Sequence, residues 1–378
     1  MNMDTSYIDI IIQWLTEEDG TDVDSLKKTR VKPALQEIFS IFVALYSIVG
    51  LVGLFASGYM VINIFRRHNI SMPTFALLTN LALCSLITAI VVLPLTLVVL
   101  LMKNWVFGSV ICFLYPMLQT FPILAVLMTL LIIVAERYAG TYRRYRLSPD
   151  YVKLSISTGT VVLVWVLGAA MVLPYIFHVR YLDLGTVLGQ EFDGIGLCNV
   201  VSEQEHLRKV HLVCISLMFC FCPVVTICLA FLLRLKLKKQ KKQEEQELQA
   251  IKTYDPYGQP VDAYPVSYRR KTSSVDEEAR AAIVDLTYEL RLLRYLTIMT
   301  VVYALFWFPL TLLTVSHQFD HHLEGSRTGL KKEITHLSIL LLGFCSSWVC
   351  PVTYYLWMRA DNKVKSVPSD GLEQATDC

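Results

Sequence analysis

The amino-acid sequence predicts an all-α integral membrane protein built as a seven-transmembrane helix bundle. Seven apolar stretches follow one another between residues 36 and 357, and each reaches the length of about 20 apolar residues that a bilayer crossing needs. Hydrophobic residues make up 54% of the 378 residues and charged residues only 17%, which is unlike a soluble chain of this length. Helices are expected because single strands would leave backbone groups unpaired in lipid.

The spans are separated by several short connections and one long polar insertion, residues 239–285, which is expected to be a flexible loop. Its Lys/Gln/Glu-rich start is predicted to extend the fifth helix, Thr253–Pro260 to break it, and Ala279–Leu292 to lead back into helix. The predicted spans are residues 36–66, 72–101, 109–141, 152–176, 208–238, 286–317 and 333–357.

Charge patterning predicts which side of the membrane each end faces. Residues 1–24 are acidic, whereas basic runs follow the first, third and fifth spans. Because basic short loops stay in the cytoplasm, the N-terminus is expected outside and the C-terminus inside. The expected parts are an extracellular acidic tail at 1–35, the bundle at 36–357 with 239–285 as its third cytoplasmic loop, and a cytoplasmic tail at 358–378.

The ten cysteines divide by predicted compartment. Seven fall inside the spans, where cysteine usually packs as a small residue, and Cys378 is expected in the reducing cytosol. Only Cys112 and Cys198 fall on the predicted extracellular side. Two thiols in an oxidising compartment are expected to pair, with two unrelated free thiols as the alternative.

A charged motif, Glu136-Arg137-Tyr138, stands at the predicted cytoplasmic end of the third span, and Glu289 stands at the cytoplasmic start of the sixth. Ionisable residues near hydrocarbon are costly, and an arginine held by carboxylates forms strong charge-assisted hydrogen bonds. We expect a clasp between the two helices that keeps the cytoplasmic face closed until its release exposes a groove for a partner. A solvated interfacial pair is the alternative.

The sixth span contains Trp307 and Pro309. A proline inside a helix removes one backbone hydrogen bond and kinks the helix, and the aromatic side chain two residues earlier would press on the bundle core. Ordinary packing of a membrane helix is the alternative interpretation. Kinks are also expected in the fourth, fifth and seventh spans, at Pro174, Pro223 and Pro351.

In these residues the chain resembles the rhodopsin-like G-protein-coupled receptors, over roughly residues 45–360 without the long insertion. The matching marks stand in the order and in the spans where the family has them. They are Asn80-Leu81-Ala82-Leu83, Trp105-Val106-Phe107-Gly108 before Cys112, Glu136-Arg137-Tyr138, Trp165 with Pro174, Cys198, Phe221-Cys222-Pro223, Trp307-Phe308-Pro309 and Pro351-Val352-Thr353-Tyr354.

The resemblance implies a plasma-membrane receptor that binds an extracellular ligand and activates a heterotrimeric G protein, with arrestin and receptor kinases as further partners. It makes Arg137 the switch arginine restrained by Glu136 and Glu289, and it joins Cys112 to Cys198 so that the second extracellular loop is pinned to the third helix. The other residues to which it gives a role are Tyr138 and Tyr354 in the G-protein switch, and Trp307, Pro309, Tyr303 and Pro351 in an activation relay.

Several positions depart from the family pattern. Ser57, Ser85, Val126 and Cys350 stand where the family has the Asn, Asp, Ser and Asn that surround a buried sodium ion. Because hard cations require oxygen ligands, we expect neither a sodium site nor sodium-linked inhibition. Phe231 replaces the tyrosine that usually meets the switch arginine, which leaves a receptor-like scaffold or decoy with lost signalling as an alternative.

Other functional classes fit less well. A transporter would need repeated halves or charged residues at the span centres, and an enzyme would need a metal-spaced Cys/His cluster or a nucleophile beside a base; the sequence shows neither pattern. The lipid bilayer is the expected surrounding, and no cofactor and no nucleic-acid partner are expected.

The ligand class is suggested by single positions. Gln119 stands where amine receptors carry Asp, and Phe344 stands where opsins carry Lys, so neither an amine nor retinal is expected. A peptide fits Gln119 and the charged second extracellular loop best, and a lipid-like ligand is the alternative. The candidate pocket residues are Gln119, Tyr175, His178, His211, Thr311, Thr314 and His336.

A basic-directed kinase motif lies in the long insertion. Arg269-Arg270-Lys271 precedes Thr272, Ser273 and Ser274, which makes these three hydroxyls phosphorylation candidates, and a phosphate there would cancel nearby positive charge. An unused match is the alternative.

Overall fold

The computed structural model describes residues 35–66, 72–102, 104–141, 150–188, 196–200, 205–253, 266–319 and 326–365. Seven helices within these ranges are long and apolar enough to cross a membrane, in agreement with the seven predicted spans. The predicted tails lie almost entirely outside the described residues, except for Leu35 at one end and residues 358–365 at the other.

The helices are numbered in chain order. Helix α1 is Phe39–Arg66. Helix α2 consists of Met72–Ile87, a π-helical turn at Thr88–Val92 and Leu93–Leu101. Helix α3 is Gly108–Ala139, and α4 is Asp150–Val172 continued by a 3-10 turn at Leu173–His178. Helix α5 is Glu205–Thr253 and α6 is Val266–Phe319. Helix α7 consists of Ser326–Phe344, a 3-10 turn at Cys345–Trp348 and Val349–Lys365.

A short antiparallel hairpin connects α4 to α5. Its strands are β1, Val179–Asp183, and β2, Gly196–Val200, and a single-turn helix at Leu184–Leu188 follows β1. Gly196 accommodates the ring of Tyr181, because a Cβ atom there would lie 2.5 Å from that ring. Burial raises the pKa of the Tyr181 phenol, and the nearby Asp183 carboxylate raises it further.

The hairpin is fixed to the start of α3 in two ways. The backbone of Trp105 exchanges two hydrogen bonds with Gly196, at 2.8 and 3.0 Å. A disulfide joins Cys112 on α3 to Cys198 on β2, with the Cα atoms 5.8 Å apart, so the predicted pairing is confirmed. The hairpin therefore has a covalent and a backbone anchor.

The described residues form two compact units. The first combines the described parts of Met1–Thr129, Pro149–Cys222 and Tyr303–Pro351, and the second those of Leu130–Ser148, Pro223–Val302 and Val352–Cys378. The first unit therefore contains the hairpin, and the second contains the described parts of the long insertion.

In the first unit, a buried asparagine connects three helices. The Asn80 amide on α2 donates to Thr129 Oγ1 on α3 at 2.8 Å, and its carbonyl oxygen accepts from the Trp165 indole on α4 at 2.9 Å. Both Asn80 and Thr129 are buried. Polar side chains in an apolar interior are stable only when paired, so this arrangement fixes how the three helices meet.

Helix α1 contacts α7 through two more polar groups of the first unit. Tyr46 donates its hydroxyl proton to the Leu337 carbonyl at 2.9 Å, and the Trp348 indole donates to the Val49 carbonyl at 3.0 Å. Trp348 belongs to the 3-10 turn of α7. The Trp348 contact thus lies where the regular α-helix of α7 is interrupted, and the Leu337 contact lies within its first helical segment.

The described parts of the long insertion are helical. Helix α5 continues to Thr253, in line with the predicted extension, and residues 254–265 lie outside the described part. Helix α6 begins at Val266, earlier than the predicted return to helix near Ala279. The residues after Pro265 contain neither Gly nor Pro until Pro309, so this part of the chain has no helix breaker. Polar composition alone therefore does not predict where α6 begins.

Replacement of Asn80 by Ala should destabilise the first unit. It removes both hydrogen bonds and leaves the partly buried Trp165 N–H without this partner, which should cost about 1–2 kcal/mol. A lower melting temperature of the purified protein, measured by a thiol-reactive dye assay, would support this. Asn63→Ala is the control, because the bond that Asn63 makes among the described residues is a local one to the Tyr59 carbonyl one turn away. Equal melting temperatures for both variants would contradict the structural role of Asn80.

Replacement of Cys112 by Ser should reduce folding yield. The bridge closes a loop with a sequence separation of 86, and loss of a disulfide typically costs about 2–5 kcal/mol. Flow cytometry of an epitope-tagged protein should show reduced surface expression. With an identified ligand, the variant should also show weaker ligand binding than the unaltered protein. Cys214→Ser, which removes an exposed free thiol, is the matched control. Wild-type expression and binding in the Cys112 variant would refute the importance of the bridge.

Candidate functional site

The second unit contains the ion pair that the sequence predicts. The Arg137 guanidinium on α3 donates from Nη1 to Glu289 Oε1 on α6 at 2.8 Å, and the two side chains are 20% and 23% exposed. Partial burial strengthens a charge-assisted hydrogen bond because water screens it less. The predicted contact between these two helices is therefore present, with Glu289 as the carboxylate that bonds the guanidinium.

A lysine of α5 contacts the same end of α3, which sequence reasoning missed. Lys236 Nζ donates to Thr141 Oγ1 at 2.7 Å and lies 5.5 Å from the centroid of the Tyr138 ring. An ammonium at this distance from an aromatic face is attracted by the ring. Lys236 belongs to the basic run after the fifth span, and nothing in that run predicts a contact with Tyr138.

A cluster of aromatic side chains in the second unit joins α6 to α7. The ring centroids of Tyr288 and Trp357 lie 5.8 Å apart, as do those of Tyr354 and Trp357. Nearby, Arg291 Nη1 donates to the Ala360 carbonyl at 3.3 Å. Sequence reasoning selected Tyr354 but missed Tyr288 and Trp357. Tyr288 and Glu289 are adjacent in α6 but contact different helices, since Tyr288 contacts α7 and Glu289 contacts α3.

In the first unit, Trp307 lies buried at the centre of a compact polar and aromatic contact. Its indole donates to Ser346 Oγ at 2.7 Å, and its ring meets Phe344 edge to face with centroids 5.8 Å apart. Tyr303 is buried and lies close to Ser346. Gly343 is needed here, because a Cβ atom there would lie 2.9 Å from the Trp307 ring. Ser346 and Gly343 carry no signal in the sequence that would have selected them.

The prolines of the predicted relay lie in regular helix. Pro309 lies inside α6, two residues after Trp307. Pro351 lies near the start of Val349–Lys365, directly after the 3-10 turn of α7. Proline cannot donate a backbone hydrogen bond, which agrees with the change from regular α-helix to a 3-10 turn shortly before Pro351.

Three of the seven candidate pocket residues lie together. The Tyr175 ring stacks on His211 and meets His178 edge to face, with 6.3 Å between centroids in each case. Thr311 and Thr314 instead donate to carbonyls of their own helix, those of Phe308 and Leu310. The remaining two, which are half-buried, are Gln119 on α3 and His336 on α7.

The phosphorylation candidates fall in α6, near its start. Thr272, Ser273 and Ser274 lie within Val266–Phe319, but their side chains lie outside the described residues. Their proposed modification therefore stays a prediction.

The described structure combines seven apolar helices, a disulfide-bridged hairpin and an arginine ion pair. The family model described as "7 transmembrane receptor (rhodopsin family)" matches residues 57–354. The chain belongs to this receptor family. The predicted all-α seven-transmembrane fold is thereby confirmed, with one short β-hairpin in addition. Like other rhodopsin-family receptors, the protein is a multi-pass membrane receptor that binds a ligand and signals through G proteins.

Within this rhodopsin-family receptor, the residues at the family's sodium positions do not fit a sodium ion. Ser57, Ser85, Val126 and Cys350 are all buried, and they supply two hydroxyls, an aliphatic group and a thiol. The Ser57 hydroxyl oxygen has no hydrogen-bond partner among the described residues. None of the four carries a negative charge, and a buried cation without a counter-charge is strongly disfavoured.

One further departure concerns α5 of the receptor. Phe231, which stands at the usual tyrosine position, is 60% exposed and has no hydroxyl to bond the switch arginine. In this chain the described polar contact from α5 to the end of α3 is made instead by Lys236.

Sodium should not act as a specific modulator of the receptor. With only neutral groups at Ser57, Ser85 and Cys350, the melting temperature of the purified receptor and any agonist affinity should be equal in sodium chloride and in the same concentration of potassium chloride. Ser85→Asp is the matched variant, because it restores a carboxylate and should introduce a sodium-dependent shift. A shift specific to sodium in the unaltered receptor would contradict the assignment.

Proposed function

We propose that the protein is a plasma-membrane receptor that binds an extracellular peptide and passes the signal to a heterotrimeric G protein when the Arg137–Glu289 pair opens. Its N-terminus faces outward and its C-terminus faces the cytoplasm, because the basic runs follow the first, third and fifth spans. The ion pair is the single observation that carries the proposed switch.

The pair has the energetic properties that a reversible switch needs. A fully exposed ion pair contributes only about 0–1 kcal/mol, whereas breaking a buried pair costs about 3–5 kcal/mol. With side-chain exposures of 20% and 23%, Arg137 and Glu289 lie between these limits. The closed state is then stabilised enough to suppress signalling, yet weakly enough that ligand binding can shift the equilibrium.

The opening of this pair is proposed to free Arg137 for the G protein. An arginine has five N–H donors, so its guanidinium can move from one carboxylate to other acceptors without a change in protonation. Glu136, Tyr138 and Tyr354 are the proposed neighbours in this switch, and Lys236 is added to them because it contacts Tyr138.

A relay in the first unit is proposed around Trp307. Its ring is packed against Phe344 and hydrogen-bonded to Ser346, so a ligand that shifts Trp307 must also disturb α7. Tyr303 lies close to Ser346 and is part of the proposed relay. Pro309 and Pro351 would supply the helix irregularity that lets α6 and α7 respond.

A peptide is the proposed ligand. Gln119 offers no counter-ion for an amine, and the hairpin with its charged residues Arg180 and Asp183 offers polar contacts to a peptide backbone. A lipid-like ligand is the second candidate, favoured by the apolar neighbours of the cluster at Tyr175. Arrestin and receptor kinases are proposed as regulatory partners, with phosphorylation at Thr272, Ser273 and Ser274.

A screen in living cells tests this function. Cells that express the receptor are exposed to a peptide library and a lipid library, and calcium, cyclic nucleotide and arrestin recruitment are recorded. A peptide that elicits a response in these cells and none in untransfected cells would support the proposal. The absence of any response, together with unchanged basal signalling in the variant described next, would favour a receptor-like scaffold.

Replacement of Glu289 by Ala should raise ligand-independent signalling. Loss of the carboxylate frees Arg137, and a change of about 1.4 kcal/mol would multiply the open population about tenfold while that population is small. Basal cyclic nucleotide or calcium signals, normalised to surface expression, measure this. Glu289→Gln should give a smaller rise, because the amide keeps one hydrogen bond without the charge.

Glu278→Ala is the control for that experiment, because Glu278 is an exposed carboxylate on the same helix. Its basal signal should equal that of the unaltered receptor. An unchanged basal signal in a well-expressed Glu289→Ala variant would refute the clasp.

A further inference from the structure

A compact group of hydrogen-bond donors lies in the first unit, where α4 ends and α5 begins. Tyr175 and His178 belong to the 3-10 turn that ends α4, and Arg208 and His211 lie in the first turns of α5. Residues three apart on a helix share one face, so Arg208 and His211 project from the same side of α5. The sequence selected three of these four residues and missed Arg208.

The rings of this group are in direct contact. Tyr175 stacks on His211 at 6.3 Å with an interplanar angle of 28°, and it meets His178 at the same centroid distance. Arg208 lies within electrostatic range of Tyr175, and His178 lies within range of His211. One permanent cation, two imidazoles and a phenol therefore lie near one another.

The group contains a polar atom without a hydrogen-bond partner. His211 Nε2 is buried and has no hydrogen-bond partner among the described residues. Within the same described residues, neither Arg208 nor His211 forms an ion pair with a carboxylate. Buried polar atoms in folded proteins are nearly always paired, so an atom such as His211 Nε2 calls for a partner from outside the described chain.

We propose that Tyr175, His178, Arg208 and His211 form a subsite that binds the carboxylate group of the receptor's ligand. The proposal rests on the proposed ligand-binding function and specifies the chemistry of that ligand. An arginine fork binds a carboxylate with two parallel hydrogen bonds, and an imidazole N–H and a phenol O–H complete the set of donors. One permanent cation matches one negative charge.

The stacked rings of Tyr175 and His211 specify what stands next to the carboxylate. Their faces are apolar and adjoin the donors, so the carboxylate should be carried by an apolar or aromatic body. Two sources offer this chemistry: a peptide with a free C-terminal carboxylate after an apolar residue, and a fatty acid. A primary amine has no complement here, since the group presents donors and a positive charge.

Matched pairs of probes test the subsite on the purified full-length receptor in lipid nanodiscs. One arm compares each peptide of a library as the free acid and as the C-terminal amide. The other arm compares decanoate with decanol, and palmitate with hexadecanol. Binding is read as a shift of the melting temperature and as a dissociation constant by microscale thermophoresis.

At least one acid is expected to bind tenfold or more tightly than its neutral partner, and the arm that shows the difference identifies the source. Arg208→Gln should remove most of this difference while leaving the binding of the neutral partner unchanged. Arg208→Lys should restore part of it, because a lysine keeps the charge without the fork. His211→Phe keeps the ring that stacks on Tyr175 and removes Nε2, so it separates hydrogen bonding from packing.

Lys331→Gln is the matched control, because it removes an exposed cation at the start of α7 and should leave acid and neutral probes unaffected. Equal binding of every acid and its neutral partner to the unaltered receptor would overturn the subsite. So would an Arg208→Gln variant that weakens acid and neutral probes alike. A cellular response to amidated peptides alone, independent of Arg208, would leave the proposed function intact and refute the subsite. Acid-selective binding without any cellular response would support the subsite and contradict the proposed signalling function.

Discussion

A polar group removed from water needs a partner, and this constraint organises the described structure. Helices meet the constraint for the backbone, which leaves only a few side chains to decide how helices contact one another. Asn80 meets it by bonding on both sides of its amide, and Trp307 meets it through Ser346. Apolar surfaces have no directional preference, so these few hydrogen bonds specify which helix faces meet.

The two units satisfy the constraint with different chemistry. The first unit pairs neutral groups, as in the hydrogen bonds of Asn80 and Trp307. The second unit uses formal charges, in the pair of Arg137 with Glu289. Neutral hydrogen bonds are lost only when their geometry changes, whereas a charge pair also weakens as soon as water enters and raises the local dielectric constant. The charged contacts are therefore the ones whose energy responds most to the arrival of a partner.

Sequence reasoning found the helices and the covalent link because their signals are local or compositional. Apolar length fixed the seven spans, and elimination by compartment paired Cys112 with Cys198. It also found Arg137 with Glu289, since unlike charges at two predicted helix ends have few other uses. It missed Lys236 and Trp357, because their contacts depend on how each helix is rotated about its own axis. Apolar residues occur on every face of a membrane helix, so the sequence does not reveal that rotation. Of the seven pocket candidates, Tyr175, His178 and His211 are joined by ring contacts among the described residues, and the pocket as a whole stays a prediction.

In the proposed switch, the balance between closed and open receptor would be set by several modest contacts. Ser57, Ser85 and Cys350 in the first unit carry no charge that would hold a stabilising sodium ion. The ion pair is then supplemented by Lys236 over Tyr138 and by the contact of Tyr288 with Trp357, each worth about 0.5–1.5 kcal/mol. A ligand must supply about 5.5 kcal/mol of differential binding to invert a 1:99 equilibrium. Contacts of this size sum to a few kcal/mol, so the closed state can be both well populated and reversible, and no single contact among them needs to be strong.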